Sequence, residues 1–298
     1  MKKNTTTTVV LTIFSAIPRK IRRNICITLF LIFYHLAPRR RLIAIHNIKR
    51  AFPGKSMEEI IAIAKGVYRN MAVVAADFFD IPKLTQDNLS DLIELEGLEH
   101  CRKALEKNKG ILMFGAHFGN WELGAIALSL GLKPSVVIYR PLDSPLLENL
   151  ITWVRSCTGN MPIAKELAMR SMLRHLKKND ILGILIDQNV DVAEGVFVEF
   201  FGRPACTTNG LALLALHTGA PVIHGYVVRL TDGRYRMVFG EEVELVRTGD
   251  REQDILINTQ NFTRIIEDTV RQYPDQWLWV HQRWKTTMVR EVFPEVSF

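Results

Sequence analysis

One histidine of this sequence stands among residues that could do proton chemistry. His117 lies in Gly115-Ala116-His117-Phe118-Gly119-Asn120-Trp121-Glu122-Leu123-Gly124, and a carboxylate, Glu122, follows it five residues on. An imidazole titrates near neutrality and a neighbouring carboxylate can fix its tautomer, so the pair could take a proton from a substrate hydroxyl. Inside one helix, five steps of about 100° would hold the two side chains well apart. They converge only if His117 precedes a helix and Glu122 falls in its first turn, an arrangement that Asn120 as N-cap would produce. A plainer reading fits the same residues: Glu122 complements the positive end of a helix and His117 is a turn residue.

The elements that must position this stretch are legible around it. The apolar run Ile111-Leu112-Met113-Phe114 enters it as a buried strand, and residues 121–130 leave it as a helix. Strands are also expected at 93–97, 135–139, 181–186 and 222–230. The last of these turns through Thr231-Asp232-Gly233 into a return strand at 235–246. Helices are expected at 98–108, 146–157, 166–177, 208–218 and 254–272. That order implies an α/β fold with a mostly parallel central sheet, an antiparallel C-terminal portion and flanking helices. In such a sheet, function collects beyond the carboxyl ends of the strands. Three polar groups fall there: His117 after the strand at 111–115, Arg140 after 135–139, and Asp187-Gln188-Asn189 after 181–186. Each alone fits an ordinary loop residue. Together, a base, a fixed cation and an acid/amide pair suit acyl transfer to an acceptor bearing phosphate.

Other chemistries find little support. The sequence has no G-x-S-x-G elbow, no G-x-x-x-x-G-K-[ST] loop, no G-x-G-x-x-G fingerprint and no H-E-x-x-H. Cys26, Cys101, Cys157 and Cys206 lack C-x-x-C spacing and read as reduced thiols. No metal and no cofactor is implied. His217 and His224 flank a helix-to-strand turn, where packing accounts for them. His281, in Trp277-Leu278-Trp279-Val280-His281-Gln282-Arg283-Trp284, is harder to dismiss, although such tryptophans usually brace a core.

Charge is distributed unevenly along the 298 residues, whose formal net charge is +7. Residues 1–50 hold eleven Lys or Arg and no acid, which leaves 27 bases against 31 acids in the remainder. The arm interleaves this charge with two uncharged apolar stretches, 4–18 and 24–38, around Arg19-Lys20-Ile21-Arg22-Arg23. Such density of Phe, Leu and Ile favours anionic membrane lipids over nucleic acid as partner. Fifteen helical residues span about 22 Å, short of the roughly 30 Å of a hydrocarbon core. An interfacial helix pair, or one short anchor with its positive flank on the cytoplasmic side, therefore fits best, with a cleaved signal peptide as runner-up. Residues 5–8, four threonines, read as a disordered end. The expected division is a basic apolar membrane anchor at 1–41, a helical region at 42–90 opened by the cap Ser56 with Glu59, and an α/β catalytic domain at 91–298.

With these residues in view, the sequence resembles a known family. Ala116-His117-Phe118-Gly119-Asn120-Trp121-Glu122 is similar to the H-x4-[DE] block of the glycerolipid acyltransferases. More closely, the chain resembles the bacterial lipid A late acyltransferases. Tyr139-Arg140-Pro141, Gly183-Ile184-Leu185-Ile186-Asp187-Gln188, Phe200-Phe201-Gly202-Arg203-Pro204-Ala205, Thr218-Gly219-Ala220-Pro221-Val222 and Trp279-Val280-His281-Gln282-Arg283-Trp284-Lys285 match as further ordered blocks. Two departures stand out: Glu122 where the pattern also takes Asp, and Gln282 where a second basic residue is expected.

The resemblance implies a glycerolipid acyltransferase-like fold with N-terminal membrane-associated helices at the inner membrane, its catalytic domain on the cytoplasmic side. It implies transfer of a fatty acyl chain from an acyl carrier protein thioester, or alternatively acyl-CoA, to a hydroxyl of a lipid A precursor. His117 would be the general base and Glu122 would fix its tautomer, while amides of the turn at 115–119 could serve the oxyanion. Arg140 and Arg203 would position phosphate or carboxylate groups of the acceptor, and Asp187 and Gln188 would orient acceptor or base. The rivals are transfer to another glycolipid such as a phosphatidylinositol mannoside, a membrane-bound esterase or thioesterase, and a non-catalytic lipid-binding protein.

Overall fold

Short apolar runs and apolar–polar alternations supply most of the strands: β1 (Ile93–Glu96), β2 (Ile111–Gly115), β3 (Ser135–Tyr139), β4 (Met161–Ala164), β5 (Ile181–Leu185), β6 (Gly195–Phe200), β7 (Arg203–Thr208), β8 (Val222–Arg229) and β9 (Tyr235–Glu242). The computed structural model describes residues 5–165 and 168–287. Seven strands form one sheet in the order β1-β9-β8-β2-β5-β3-β4, while β6 and β7 pair separately as an antiparallel hairpin. Within the seven-stranded sheet β8 and β9 are antiparallel and the other neighbours are parallel. The mostly parallel sheet with an antiparallel C-terminal portion is thus present. The reversal also carries β1, which pairs in parallel with β9 and so runs with it against the rest.

β2 occupies the middle of this sheet and is wholly buried, which is why its sequence is a continuous apolar run rather than an alternation. Its side chains still divide between two faces with the period of a strand. Leu112 and Phe114 join the core shared with α9 (Gly210–Thr218) and α10 (Arg251–Gln272), whereas Ile111 and Met113 join the core under α5 (Leu98–Glu106) and α6 (Trp121–Gly131).

The arm folds as α1 (Thr5–Ala16) and α2 (Arg19–Leu36), followed by α3 (Pro38–Ala51) and α4 (Met57–Asp77). Pro18 is the N-cap of α2 and Pro38 its counterpart at the start of α3, positions where a missing N–H costs nothing. Ser56 and Glu59 form the expected capping box on α4. The threonines at 5–8, expected as a disordered end, open α1, because Leu11 is buried in an apolar cluster with Phe78, Ile81, Ile126, Leu150 and Val154.

The arm's central arginines do not reach outward as membrane-directed charge would. Arg22 is buried, donating to the carbonyls of Ala76, Phe14 and Ile17 at 2.8, 2.9 and 3.0 Å and pairing with Asp80. Arg19 and Arg23 pair with Asp77, which also accepts from the Tyr235 hydroxyl at 2.6 Å. What α2 presents to solvent is a stripe of Ile21, Ile25, Leu29, Ile32, Phe33 and Leu36. Among the described residues no helix is long and apolar enough to cross a membrane.

Two elements were not anticipated from the sequence. β4 is a four-residue edge strand containing Pro162, a residue that argues against a central strand but is tolerated at an edge. The β6–β7 hairpin turns at Phe201 and Gly202, both at positive φ, the geometry of a two-residue turn that matches strand twist. Phe201 is held there by an edge-on contact with Phe200 at 4.8 Å and by the Arg271 guanidinium 4.4 Å above its ring. Of the helix expected at 166–177, residues 166 and 167 lie outside the described residues, and α8 spans Ala168–Lys177.

Candidate active site

The turn after β2 is gripped from three sides. Gly119, at φ +56, lies so close to β8 that a Cβ there would sit 1.5 Å from the Val227 carbonyl oxygen, so glycine is required. Its N–H donates to the Gln276 carbonyl at 2.8 Å, and its own carbonyl accepts from the Asn70 side chain of α4 at 3.0 Å. The Leu278 N–H donates to the His117 carbonyl at 3.1 Å. Asn120 then caps α6, accepting from Leu123 N–H at 3.1 Å, which sets Glu122 in the first turn as the sequence implied.

His117 is held by Asp187, which follows β5. Parallel pairing of β2 with β5 brings the carboxyl ends of the two strands together, although Asp187 is 70 positions later, and Nδ1 of His117 lies 2.8 Å from Oδ1 of Asp187. The His117 backbone N–H donates to Oδ2 at 3.0 Å, and the Trp277 indole N–H donates to the same oxygen at 2.8 Å. An ionised carboxylate only accepts, so this network assigns a proton to Nδ1 and leaves Nε2 with its lone pair. Nε2 has no protein partner among the described residues, and the imidazole is 23% exposed against 2% for Asp187. Burial alone would lower the His117 pKa. The charge and hydrogen bond of Asp187, with the charge of Glu122 adding, carry it above the ordinary imidazole value. Burial opposes ionisation of Asp187, yet His117 and its other donors hold the carboxyl below its usual range.

Glu122 does not make the orienting bond expected of it. Its carboxylate is taken by Arg155 of α7 (Pro145–Ser156), through Nε at 2.9 Å and Nη2 at 2.6 Å, and by the Trp121 indole at 3.2 Å. A bidentate guanidinium is the stronger claimant, and Glu122 acts on His117 through its field alone. Burial lowers and the bonds to Glu122 raise the Arg155 pKa, with a net rise. The turn amides also differ from expectation. Those of His117, Phe118 and Gly119 donate to Asp187, Ala116 and Gln276, so none of the three is left for an oxyanion.

The remaining predicted residues stand apart from this pair. Arg140 is exposed after β3, and Gln188 is half-buried beside Asp187; neither has a hydrogen bond or ion pair among the described residues. Arg203 is exposed at the start of β7, its Nε donating to the Arg50 carbonyl at 3.4 Å. His281 accepts at Nε2 from the Asn189 N–H at 2.9 Å, and burial lowers its pKa. Arg283 is buried, donates to the Cys206 carbonyl at 2.8 Å and to the Thr207 hydroxyl, and has its pKa lowered to about 10 by burial. All four cysteines are free. Among the described residues no cluster of three or more His, Cys, Asp or Glu could hold a metal ion.

Arg155, Asn70 and Trp277 escaped the sequence reading. Arg155 is one basic residue on an amphipathic helix and Asn70 one amide on another, and neither carries a local signal. Trp277 sat in a block that the sequence did single out, where only its ring was credited.

Comparison with known proteins gives this geometry a setting. The model of the family described as bacterial lipid A biosynthesis acyltransferase matches residues 5–286. The lipid A biosynthesis palmitoleoyltransferase of Escherichia coli (strain K12) is 29% identical over 85% of this chain and 81% of its own. The lipid A biosynthesis lauroyltransferase of the same organism is 28% identical over 83% and 80%. A phosphatidylinositol mannoside acyltransferase of Mycolicibacterium smegmatis is 21% identical over 69% of this chain and 67% of its own. Among solved structures, a 1-acyl-sn-glycerophosphate acyltransferase from Thermotoga maritima matches with TM-score 0.39 and 16% identity, over 87% of this chain and 99% of that one.

Proposed function

The chain belongs to the bacterial lipid A biosynthesis acyltransferase family and is an O-acyltransferase; on that premise we propose that it moves a fatty acyl chain from an acyl carrier protein thioester to a hydroxyl of a lipid A precursor. The observation that carries the mechanism is the His117–Asp187 pair, with Nδ1 held at 2.8 Å and Nε2 without a protein partner. A hydroxyl is a poor nucleophile near neutral pH, and Nε2 takes its proton as the oxygen attacks the thioester carbonyl. Asp187 keeps the proton on Nδ1 and stabilises the imidazolium that forms. The tetrahedral intermediate collapses, the C–S bond breaks, and the imidazolium returns its proton to the departing thiolate. No protein nucleophile takes part.

Arg155, fixed by Glu122 within electrostatic reach of His117, supplies positive charge for the oxyanion. Arg140 and Arg203, exposed and without a carboxylate partner among the described residues, are the cations assigned to acceptor phosphates. The stripe on α2 lies on anionic lipid at the cytoplasmic face of the inner membrane, as an interfacial helix rather than a span.

The test is purified enzyme with acyl carrier protein thioester, or acyl-CoA in a parallel arm, and a lipid A precursor, read by mass spectrometry. Acylated precursor should form and should fall at least about a hundredfold in His117→Ala. Thioester consumed without acylated lipid would replace the reading with a thioesterase, and transfer indifferent to His117 would refute the mechanism.

A further inference from the structure

The last described segment, 273–287, is a strap across the carboxyl ends of the strands, and its three tryptophans send their indole N–H groups to different fates. Trp279 donates to the Pro274 carbonyl within the strap at 2.6 Å. Trp284 has a buried Nε1 without a partner among the described residues. Trp277 donates across to Oδ2 of Asp187 at 2.8 Å. Trp277 is 1% exposed and fixed by edge-on rings, Trp279 at 4.6 Å and Phe200 at 5.3 Å.

The residues on either side of Trp277 hold the turn that carries the base. The Gln276 carbonyl accepts from Gly119, and the Leu278 N–H donates to His117. The Gln276 side chain is itself locked to β8 by two bonds with the Arg229 backbone, at 2.8 and 3.1 Å. Base, carboxylate and indole therefore form a closed loop of hydrogen bonds. Two N–H donors saturate Oδ2, which turns Oδ1 toward the imidazole.

We infer that Trp277 is a positioning residue of the His117–Asp187 pair: its indole N–H fixes which carboxylate oxygen faces the imidazole and tempers how strongly that carboxylate holds the proton His117 gains. The role rests on His117 acting as the base of the proposed reaction. A neutral donor on Oδ2 draws off part of the negative charge. Without it the carboxylate attracts the imidazolium more strongly, and the pair takes up its proton at higher pH. The other titratable or charged groups facing the pair are Glu122 of α6, Arg155 of α7, and His281 and Arg283 of the strap, and none of them bonds to the Trp277 indole.

The experiment compares Trp277→Phe with Trp279→Phe in the full-length, detergent-solubilised protein. The His117 imidazole is titrated by NMR with ε1-13C histidine, its resonance assigned by its loss in His117→Gln. In Trp277→Phe the His117 midpoint should rise by about half a unit to one unit, and in Trp279→Phe it should stay within about 0.2 unit of wild type. The acid limb of kcat/KM should move with it, kcat falling while KM for the thioester holds. A Trp277→Phe midpoint within about 0.2 unit of wild type, or equal shifts in both variants, overturns the proposal. If the wild-type protein transfers no acyl chain, the functional reading fails, yet the titration still decides the role of Trp277. Should Trp277→Phe not fold, indole-15N labelling reads the same bond in the Trp121→Phe background, which removes the other indole beside His117. One indole resonance should then follow the His117 midpoint, and none doing so is the refuting result.

Discussion

Replacing Asp187 by asparagine isolates what its charge does. The amide is nearly isosteric and its oxygen can still accept from the Trp277 indole and the His117 N–H, at sites now 2.8 and 3.0 Å away. Its NH2 group would then face Nδ1, which must become the acceptor and so moves the imidazole proton to Nε2. The base would lose the lone pair it needs. For a buried carboxylate that fixes a histidine tautomer, this exchange costs about 10³–10⁴ in kcat, or roughly 4–5 kcal/mol of barrier. The pH profile gives a second, independent readout. As the proposed base His117 must be neutral to act, so kcat/KM should rise with pH through its pKa, which Asp187 holds above the ordinary value. With the charge gone, burial is left to lower that pKa, and the acid limb should move down.

Stability carries the same signature. The raised His117 pKa stabilises the fold below its unfolded value near 6.5 and that contribution is lost as pH rises through the folded pKa. The depressed Asp187 pKa stabilises above its unfolded value of about 3.9 and is lost as pH falls through the folded value. Asp187→Asn should therefore lower Tm most between about pH 4 and 6.5, and by less above the folded His117 pKa. A loss in kcat below about tenfold, or an acid limb that stays or moves up, would refute Asp187 as the residue that orients the base.

Two further outcomes follow from the geometry. Glu122→Ala leaves Arg155 without its partner in a site where the two side chains are 12% and 21% exposed, so it should cost about 2–4 kcal/mol in urea melts, whereas Glu122→Met with Arg155→Leu should recover most of that loss. Charging the α2 stripe, as in Ile25→Glu with Leu29→Glu, should release the protein from anionic vesicles in flotation while shifting Tm by no more than about 2 °C, because these side chains are exposed.

The sequence displayed the sheet through its apolar runs, and it displayed the turn through a strand that ends in glycine with a capping asparagine five residues later. The strands at 111–115 and 135–139 coincide with the folded ones residue for residue, because each is a buried or half-buried run stopped by a sharp change in polarity. The partner of His117 was harder to see. Glu122 is near in sequence, and Asp187 is near only because β5 lies beside β2, with β3 and β4 beyond it. Chain order does not give that adjacency. Nor does any local pattern distinguish Arg155, whose bidentate bond to Glu122 leaves Asp187 as the carboxylate bonded to His117. The hairpin of β6 and β7 was obscured because Phe201 takes a conformation that favours glycine or asparagine, and its ring contacts are what hold it there.

The helices that present the exposed stripe are also tied to the turn that carries His117, which changes what the arm can be used to test. Arg19 and Arg23 of α2 bind Asp77 at the end of α4, Arg22 binds Asp80 in the 3₁₀ turn that follows it, and α4 in turn sends Asn70 to the Gly119 carbonyl. α3 sends Asn47 to the carbonyls of Trp279 and His281 in the strap, at 2.9 and 2.7 Å. Removing the arm would strip Asp77, buried at 4% exposure, of both its arginines, an uncompensated charge of the kind that costs about 3–5 kcal/mol. Truncation would therefore weaken the support of the turn as well as remove any lipid contact, and inactivity of a truncated protein would not isolate attachment. Substitutions confined to the outer stripe leave these bonds in place and separate the two. By the same bonds the apolar face and Nε2 of His117 belong to one connected framework. A protein seated on lipid by that face would therefore offer its base at a set height and angle to an acceptor anchored in the same surface, a preorganisation that lowers the entropic cost of bringing the two together.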